Sequence, residues 1–260
     1  MKVSVITVCY DSVATIESTI KSVISQNYND LEYIVVDGGS TDGTHAIIDK
    51  YKDSFTHIII GDDHGIYDAM NKGISISKGD VLCILNSDDV FFSYDVISRV
   101  ANDFLLSPNV DAVLTDVFFT NCKTRRGMIT RVITAKGFRP WKLRFGWMPP
   151  HPGIFLKRGI YDKYGGYKLS YQIAADYEFM VRIFLVGNGT FFISDFISVS
   201  MREGGVSTRG VLTNHLITKE IVKSCFENNI YTNYFLVSLR LPIKYFKQVF
   251  FRKIINFIRQ

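Results

Sequence analysis

Lys78-Gly79-Asp80-Val81-Leu82-Cys83-Ile84-Leu85-Asn86-Ser87-Asp88-Asp89 decides how the rest of the chain is read. Val81 to Leu85 is a short uninterrupted apolar run, the pattern of a strand buried on both faces. It stops at two adjacent carboxylates, and the ends of the strands are where an open α/β sheet keeps its chemistry. Adjacent carboxylates repel, so away from bulk water the pair calls for a divalent cation or for hydrogen-bond donors. Ser87-Asp88-Asp89 is equally suited to capping a following helix, because Ser and Asp are favoured at that position.

Upstream of this stretch the chain alternates. Val3 to Cys9 reads as a strand, and Ala14 to Gln26 as a helix with Ile16, Ile20, Val23 and Ile24 on one face. Leu31 to Val36 is a second strand, followed by Asp37-Gly38-Gly39-Ser40-Thr41-Asp42-Gly43-Thr44 and a helix through Ile47, Ile48 and Tyr51. His57 to Ile60, a helix from Tyr67 to Ser77 and the Val81 strand complete a β-α-β-α-β-α-β series, which predicts a mostly parallel sheet with helices on both faces. Downstream the alternation fades. Val96 to Leu106 reads as a helix, Asp111 to Thr115 as a strand, and Val117 to Thr134 as a strand pair around Lys123 to Gly127. Phe138 to Gly153, rich in Pro, Gly, aromatic and basic residues, reads as a loop; Ala174 to Val186 reads as a helix, Thr190 to Val199 as a strand and Gly204 to Ser207 as a turn.

The totals fit one large folded domain with an appendage. The chain has 260 residues, 47% of them hydrophobic and 21% charged, so disorder is not expected. The net charge of +5 matters through its placement, since Lys123 to Trp147 and Arg240 to Gln260 carry basic residues and no acidic ones. Cys9, Cys83, Cys122 and Cys225 form no CxxC pair, which points away from a zinc site or a disulfide framework and toward a reducing cytoplasm. The N-terminus alternates like a strand and shows no secretory pattern, and no apolar run is long enough to span a bilayer.

Two nucleotide-binding classes fall early. The turn after the first strand, Cys9-Tyr10-Asp11-Ser12-Val13-Ala14, lacks the glycines of a dinucleotide fingerprint, and there is no GxxxxGK[ST] loop. The glycines follow the second strand instead, where Asp37 can accept hydrogen bonds from a base or ribose, or can serve the turn while Ser40, Thr41 or Asp42 caps the next helix. Asn71-Lys72-Gly73 can supply a point charge to a diphosphate, or can end a helix with a dipole-favoured Lys and a Gly cap.

The ordered set Thr7-x-x-x-Asp11, Val35 to Thr44, Gly65-Ile66-Tyr67-Asp68-Ala69-Met70-Asn71-Lys72-Gly73 and Leu85 to Asp89 resembles the family 2 glycosyltransferases. His151-Pro152-Gly153-Ile154-Phe155, Gly165-Gly166-Tyr167 and Ala175-Asp176-Tyr177-Glu178-Phe179 look like the acceptor half of the same family. The resemblance runs from about Val3 to Ser207. It implies a GT-A fold over residues 1–208, with a nucleotide-sugar-binding half at 1–90 and an acceptor half at 91–208, and leaves 209–260 as a C-terminal helical, membrane-associating segment.

The resemblance further implies that Thr7, Asp11 and Asp37 help hold the nucleoside, that Asp68 and Lys72 lie near the donor, and that Asp88 and Asp89 match the family's metal-binding DxD region. Asn86 stands where many members carry the first Asp, so which carboxylate meets the metal and which the ribose stays open. The implied metal is Mn²⁺ or Mg²⁺, bridging carboxylate and diphosphate oxygens. Asp176 matches the base that takes the acceptor proton, with Glu178 beside it as a rival and a favourable helix-start charge as the structural alternative. His151 falls in the acceptor region. Trp141 and Arg144, in the basic aromatic stretch, are candidates for the acceptor's sugar and phosphates.

Along 241–260, Phe246, Val249, Phe250, Ile254, Phe257 and Ile258 share one helical face and Lys244, Lys247, Gln248, Arg252, Lys253 and Arg259 occupy the rest. Such a basic amphipathic helix suits an anionic membrane surface, or packing on protein. The expectation is therefore an inverting transferase, peripheral on the inner face of the plasma membrane, moving a sugar from a UDP donor to a polyprenyl-diphosphate-linked saccharide. A catalytically inactive nucleotide-sugar-binding or scaffold protein is the rival. Nucleic acid is not an expected partner, because no RNA-binding signature accompanies the basic stretches.

Overall fold

Successive residues of β1 (Val3–Cys9) alternate between two apolar layers, Val3, Val5 and Cys9 in one and Ile6 and Val8 in the other. β2 (Leu31–Asp37) divides in the same way, as does β4 (Val81–Ile84). A strand apolar at every position needs cover on both faces, because consecutive side chains point to opposite sides. α1 (Ile16–Ile24), α2 (Thr44–Lys50) and α4 (Val96–Leu106) cover one face through Ile16, Ile20, Val23, Ile48, Val96, Ile97 and Val100. α3 (Ile66–Ile76) covers the other with Tyr67, Ala69, Met70 and Ile74. Ile24, expected on the buried stripe, is exposed; it is the last residue of α1, and Ile16, Ile20 and Val23 already complete the contact.

This is a computed structural model, and it describes residues 1–120, 129–202 and 210–242. Its sheet runs β3 (His57–Ile60), β2, β1, β4, β8 (Ile154–Lys157), β6 (Ala112–Thr120), β9 (Phe191–Arg202) and β5 (Val90–Phe91), with β7 (Ile129–Ile133) pairing β6 off this path. The first four strands are parallel, as the alternation predicts. From β8 outward the sheet is mixed: β8 is antiparallel to both β4 and β6, β6 and β9 are parallel, and β5 and β7 are antiparallel to their partners. Phe138 to Gly153 is a connection broken by two 3-10 turns, Pro140–Phe145 and His151–Gly153.

One consequence positions the chemistry. β1 to β4 all point the same way, so the loops after Cys9, Asp37, Ile60 and Ile84 emerge at one edge. β8 runs against β4 with Cys83 opposite Phe155, which brings its start, and His151 just before it, to that edge as well.

After α5 (Arg158–Tyr164), α6 (Ala175–Met180) continues as a π-helical stretch, Val181–Val186, where the sequence predicts one unbroken helix. α7 (Gly210–Glu227) and α8 (Tyr234–Ser238) follow the expected domain boundary at 208 and pack back on the preceding residues. Ile221, Cys225 and Val237 lie in the same buried cluster as α3 and α6, and Glu227 receives hydrogen bonds from Tyr171 and Lys168. Residues 210–242 are thus part of the globular body, while the amphipathic pattern at 244–259 and the turn at 204–207 lie outside the described residues. Among the described residues no helix is long and apolar enough to cross a membrane.

Candidate active site

The loop after β2 is built around Asp37. Its side chain is fully buried, and its two oxygens accept from the Gly39 and Ser40 N–H groups, the Ser40 hydroxyl, His45 Nε2 and the Cys9 thiol. Burial alone would raise its pKa, but the Ser40, His45 and Cys9 bonds outweigh this and hold the carboxyl below its ordinary value. In this structure the Asp37 oxygens are engaged by the Gly38 to Ser40 turn, His45 and Cys9. Asp11, at φ 44°, fastens the neighbouring loop by accepting the Thr41 N–H at 2.8 Å, while its own N–H donates to Ser40 Oγ. Thr7, expected to help hold the nucleoside, is fully buried with its hydroxyl 3.2 Å from the Tyr33 hydroxyl.

Two carboxylates that sequence reasoning passed over stand against this turn. A Cβ on Gly38 would lie 2.4 Å from an Asp63 carboxylate oxygen, and one on Gly39 would lie 2.9 Å from an Asp62 oxygen. Gly38 and Gly39 are needed because the acidic loop after β3 closes on them, and Gly39 also has a left-handed φ of 85°. Lys72, on α3, reaches back to that loop: its ammonium donates to the Asp62 carbonyl at 2.8 Å and lies 3.2 Å from Asp68, which also accepts the His64 N–H. The His64 N–H first, then Lys72, hold the Asp68 carboxyl below its ordinary range. Lys72 thus ties α3 to the turn before it. Gly73 lies inside α3, where a Cβ would come 2.4 Å from Ile6 Cγ2, so its smallness lets the helix press on β1.

The acidic pair after β4 has the character of a cation site. Asp89 is 1% exposed, and its Oδ2, like the buried Oδ1 of Asn86, has no hydrogen-bond partner. Buried polar atoms are almost always paired, so two orphaned oxygens at one strand end mark a place for a positive ligand. Burial, reinforced by Asp88, holds the Asp89 carboxyl well above the ordinary carboxylate value, with the Arg202 N–H opposing. Asp88, partly exposed, is raised by burial too, with Arg202 again opposing. Thr19 Oγ1 fixes the backbone by donating to the Ser87 and Asp89 carbonyls. The donor set of two carboxylates and an amide oxygen fits Mn²⁺ or Mg²⁺, hard cations that take oxygen ligands. Among the described residues no group of three or more His, Cys, Asp or Glu is placed to hold a metal ion.

Asp176 occupies the first turn of α6 and is a partly exposed residue. Tyr67, at the start of α3, donates its hydroxyl to the Ile173 carbonyl and stands 3.4 Å from Asp176 Oδ1. His151 Nε2 lies 2.9 Å from the Tyr167 hydroxyl, and the Tyr67 and Tyr167 rings are 5.7 Å apart. Burial raises the Asp176 pKa, opposed by the nearby His151; burial lowers that of His151, opposed by Asp176. The rival Glu178 is excluded as a base by its partners. It is fully buried and gripped by Arg182 Nε at 2.8 Å and 3.0 Å and by Lys168 at 2.9 Å. Beside this cluster lies a cleft of about 270 Å³ lined by His64, Gly65, Ile66, Tyr67, Leu169, Tyr171 and Gln172.

Trp141 and Arg144 are not brought into the cluster. Trp141 is exposed, edge-on to Phe145 with the Lys142 ammonium over its ring, and the Arg144 carbonyl accepts from Thr232 in the segment before α8. Tyr67, Tyr167 and Glu220, whose carboxylate receives the backbone N–H groups of residues 172–174, were missed by sequence reasoning. An isolated Tyr or Glu carries no motif, although Tyr67 sits inside the Gly65 to Gly73 stretch that was singled out.

A parallel half-sheet whose carboxyl edge holds an unsatisfied acidic pair, with Asp176 at the same edge, places these groups where open α/β folds bind their ligands. The sequence profile of Glycosyl transferase family 2 matches residues 4–165, and the chain belongs to that family; it is a glycosyltransferase. It is 29% identical over 213 residues to a PGL/p-HBAD biosynthesis glycosyltransferase of Mycobacterium bovis, covering 81% of this chain and 78% of that protein. It is 28% identical over 189 residues to the Escherichia coli UDP-Glc:alpha-D-GlcNAc-diphosphoundecaprenol beta-1,3-glucosyltransferase WfaP, covering 72% and 71%. Among solved structures, S. aureus TarS superposes on 86% of this chain with a TM-score of 0.64 at 20% identity, although the match spans 39% of TarS. TarS 1–349 in complex with UDP-GlcNAc gives 0.65 at 20% identity, covering 85% of this chain and 67% of that one. A Pyrobaculum calidifontis mannosyltransferase in complex with GDP-Man and Mn2+ gives 0.63 at 20% identity, covering 87% and 63%. These superpositions establish the GT-A fold.

Proposed function

We propose that this glycosyltransferase moves one sugar, with inversion, from a UDP-sugar to a lipid-diphosphate-linked saccharide in bacterial surface-polysaccharide assembly. The observation that carries the reading is the pairing, at one sheet edge, of the orphaned oxygens of Asn86 and Asp89 with a partly exposed Asp176 between Tyr67 and His151. The names of WfaP and of the TarS complex support a UDP donor, and WfaP supports a lipid-diphosphate acceptor.

Asp89 and Asn86, with Asp88 beside them, would hold a divalent cation, which supplies charge stabilisation to the departing nucleoside diphosphate. Asp37 and Asp11 set the shape of the donor loops from below, and Asp68, tied to Lys72, shapes the turn before α3. Asp176 takes the proton of the attacking hydroxyl, and a carboxyl raised by burial is a stronger base than one in water. The cleft beside Tyr67, Tyr171 and Gln172 receives the acceptor's terminal sugar. His151 orders this wall through Tyr167. Trp141 and Arg144 serve the diphosphate-lipid end of the acceptor.

The enzyme works peripherally on the inner face of the plasma membrane. Support comes from the acid-free basic sequence of residues 241–260 and from Phe226, Tyr231, Tyr234 and Phe235, exposed on and between α7 and α8. The test is release of nucleoside diphosphate from a panel of UDP-, GDP- and TDP-sugars with Mn²⁺ or with EDTA. Metal-dependent release from a UDP-sugar is expected; release that EDTA leaves untouched, or no turnover and no thermal stabilisation by any donor, contradicts the reading.

A further inference from the structure

We infer that Glu220, on α7, is a positioning residue for the base, holding the Gln172 to Ala174 segment that both mounts Asp176 and walls the cleft. The inference rests on the assignment of Asp176 as base and adds to it a residue beyond the matched family region, 4–165.

Three consecutive backbone N–H groups converge on one carboxylate: Gln172 N donates to Glu220 Oε1 at 2.7 Å, and Ile173 N and Ala174 N donate to Oε2 at 3.0 Å and 2.8 Å. Successive N–H groups aimed at one point form an anion-binding nest, and a buried carboxylate fills this one from within the protein. Glu220 is 6% exposed, so the contact is shielded from water. The next residue, Ala175, opens α6, and Asp176 follows.

The same segment is held from its other side. Tyr67 Oη donates to the Ile173 carbonyl, so α3 and α7 grip one short stretch through its carbonyl and its N–H groups. Gln172 lines the cleft together with Tyr67. A shift of this stretch would move the base and the acceptor wall together, and displacement of a reacting group by about 1 Å can cost about a hundredfold in rate. The remaining contacts of this face are made by other residues: Lys223 donates to the Ser170 carbonyl, and Glu227 serves Tyr171 and Lys168. Among the described side chains of α7, it is Glu220 that takes the N–H groups of the backbone immediately before α6.

The test uses the full chain and the variants Glu220→Gln, Glu220→Asp, Asp176→Asn and Glu220→Gln/Asp176→Asn. Gln keeps the volume but offers one acceptor oxygen and turns an amide donor toward the N–H groups. Hydrogen exchange at the Gln172, Ile173 and Ala174 amides, which needs no donor sugar, is expected to quicken at least tenfold in Glu220→Gln. Unchanged exchange there overturns the proposal. With the nucleotide sugar the native chain turns over, Glu220→Gln is expected to lower kcat about tenfold, with affinity for UDP and Mn²⁺ within twofold of native and partial rescue by Asp. The loss is expected to vanish in the Asp176→Asn background. An equal loss in both backgrounds, or a matching loss of UDP affinity, means that Glu220 acts only on the fold and overturns the proposal. Asp176→Asn at the native rate overturns the base assignment itself, and the amide exchange tells the two failures apart.

Discussion

Replacing Glu178 by Gln separates the two carboxylates that sit side by side at the start of α6. The substitution keeps the side-chain volume and removes a fully buried charge that meets Arg182 Nε at 2.8 Å and 3.0 Å and Lys168 at 2.9 Å. Breaking a buried ion pair by removing one partner costs about 3–5 kcal/mol, because the other charge stays buried. The low end applies here. Lys168 is 39% exposed and keeps Glu227, so it can turn to water, whereas Arg182 is 14% exposed and remains bound to the Tyr164 and Gly166 carbonyls. A loss of about 3 kcal/mol lowers the unfolding midpoint by about 6–12 °C in a domain of this size. Thermal unfolding of native chain, Glu178→Gln and Asp176→Asn at pH 7 reads this directly. Glu178→Gln should unfold far below the native chain yet retain turnover at low temperature, and Asp176→Asn should do the reverse. A Glu178→Gln midpoint within about 2 °C of native, combined with lost turnover, would refute the assignment of the two roles.

Three further outcomes follow from the geometry. His151 lowers the pKa of Asp176 against the effect of burial, so His151→Gln should let that pKa rise. A base works deprotonated, hence the acid limb of the pH profile of kcat/KM should move to higher pH; a limb that stays or moves down contradicts the coupling. Gly73→Ala gains helix propensity of about 1 kcal/mol but drives a methyl to 2.4 Å from Ile6 Cγ2, an overpacking cost of about 1–3 kcal/mol, so urea unfolding should show a net loss. Mn²⁺ with UDP, at a hundred times the dissociation constant, should stabilise the native chain by about 2.7 kcal/mol, and Asp89→Ala should remove that gain in a calorimetric scan.

Strands were legible in the sequence because burial on both faces leaves apolar runs such as Val81 to Leu85, and the parallel half followed from their alternation with amphipathic helices. The mixed second half was not, since β8 follows a Pro-rich connection and the regular alternation of strand and helix has ended there. Candidate carboxylates were visible as Asp at strand ends, but their duties were not. Asp37 looks like a ligand until five donors are found around it, and Lys72 looks free until the Asp62 carbonyl is found at 2.8 Å. Such facts depend on which loops meet, and Gly38 and Gly39 disclose that meeting only once Asp62 and Asp63 are seen against them. The packing of α7 was hidden for the same reason. α7 carries Ile221, Cys225 and Glu220 toward α6, contacts that a weakly amphipathic stretch does not announce.

The central claim is that the carboxylate of Asp176 takes a proton from the attacking hydroxyl while the acidic pair after β4 serves the leaving group. The most direct measurement is single-turnover sugar transfer by native chain and Asp176→Asn at saturating donor and Mn²⁺, with UDP affinity measured alongside. The account predicts a loss of at least a hundredfold in the transfer rate with UDP affinity unchanged, as expected for a group acting in proton transfer. Transfer by Asp176→Asn within threefold of the native rate would contradict it.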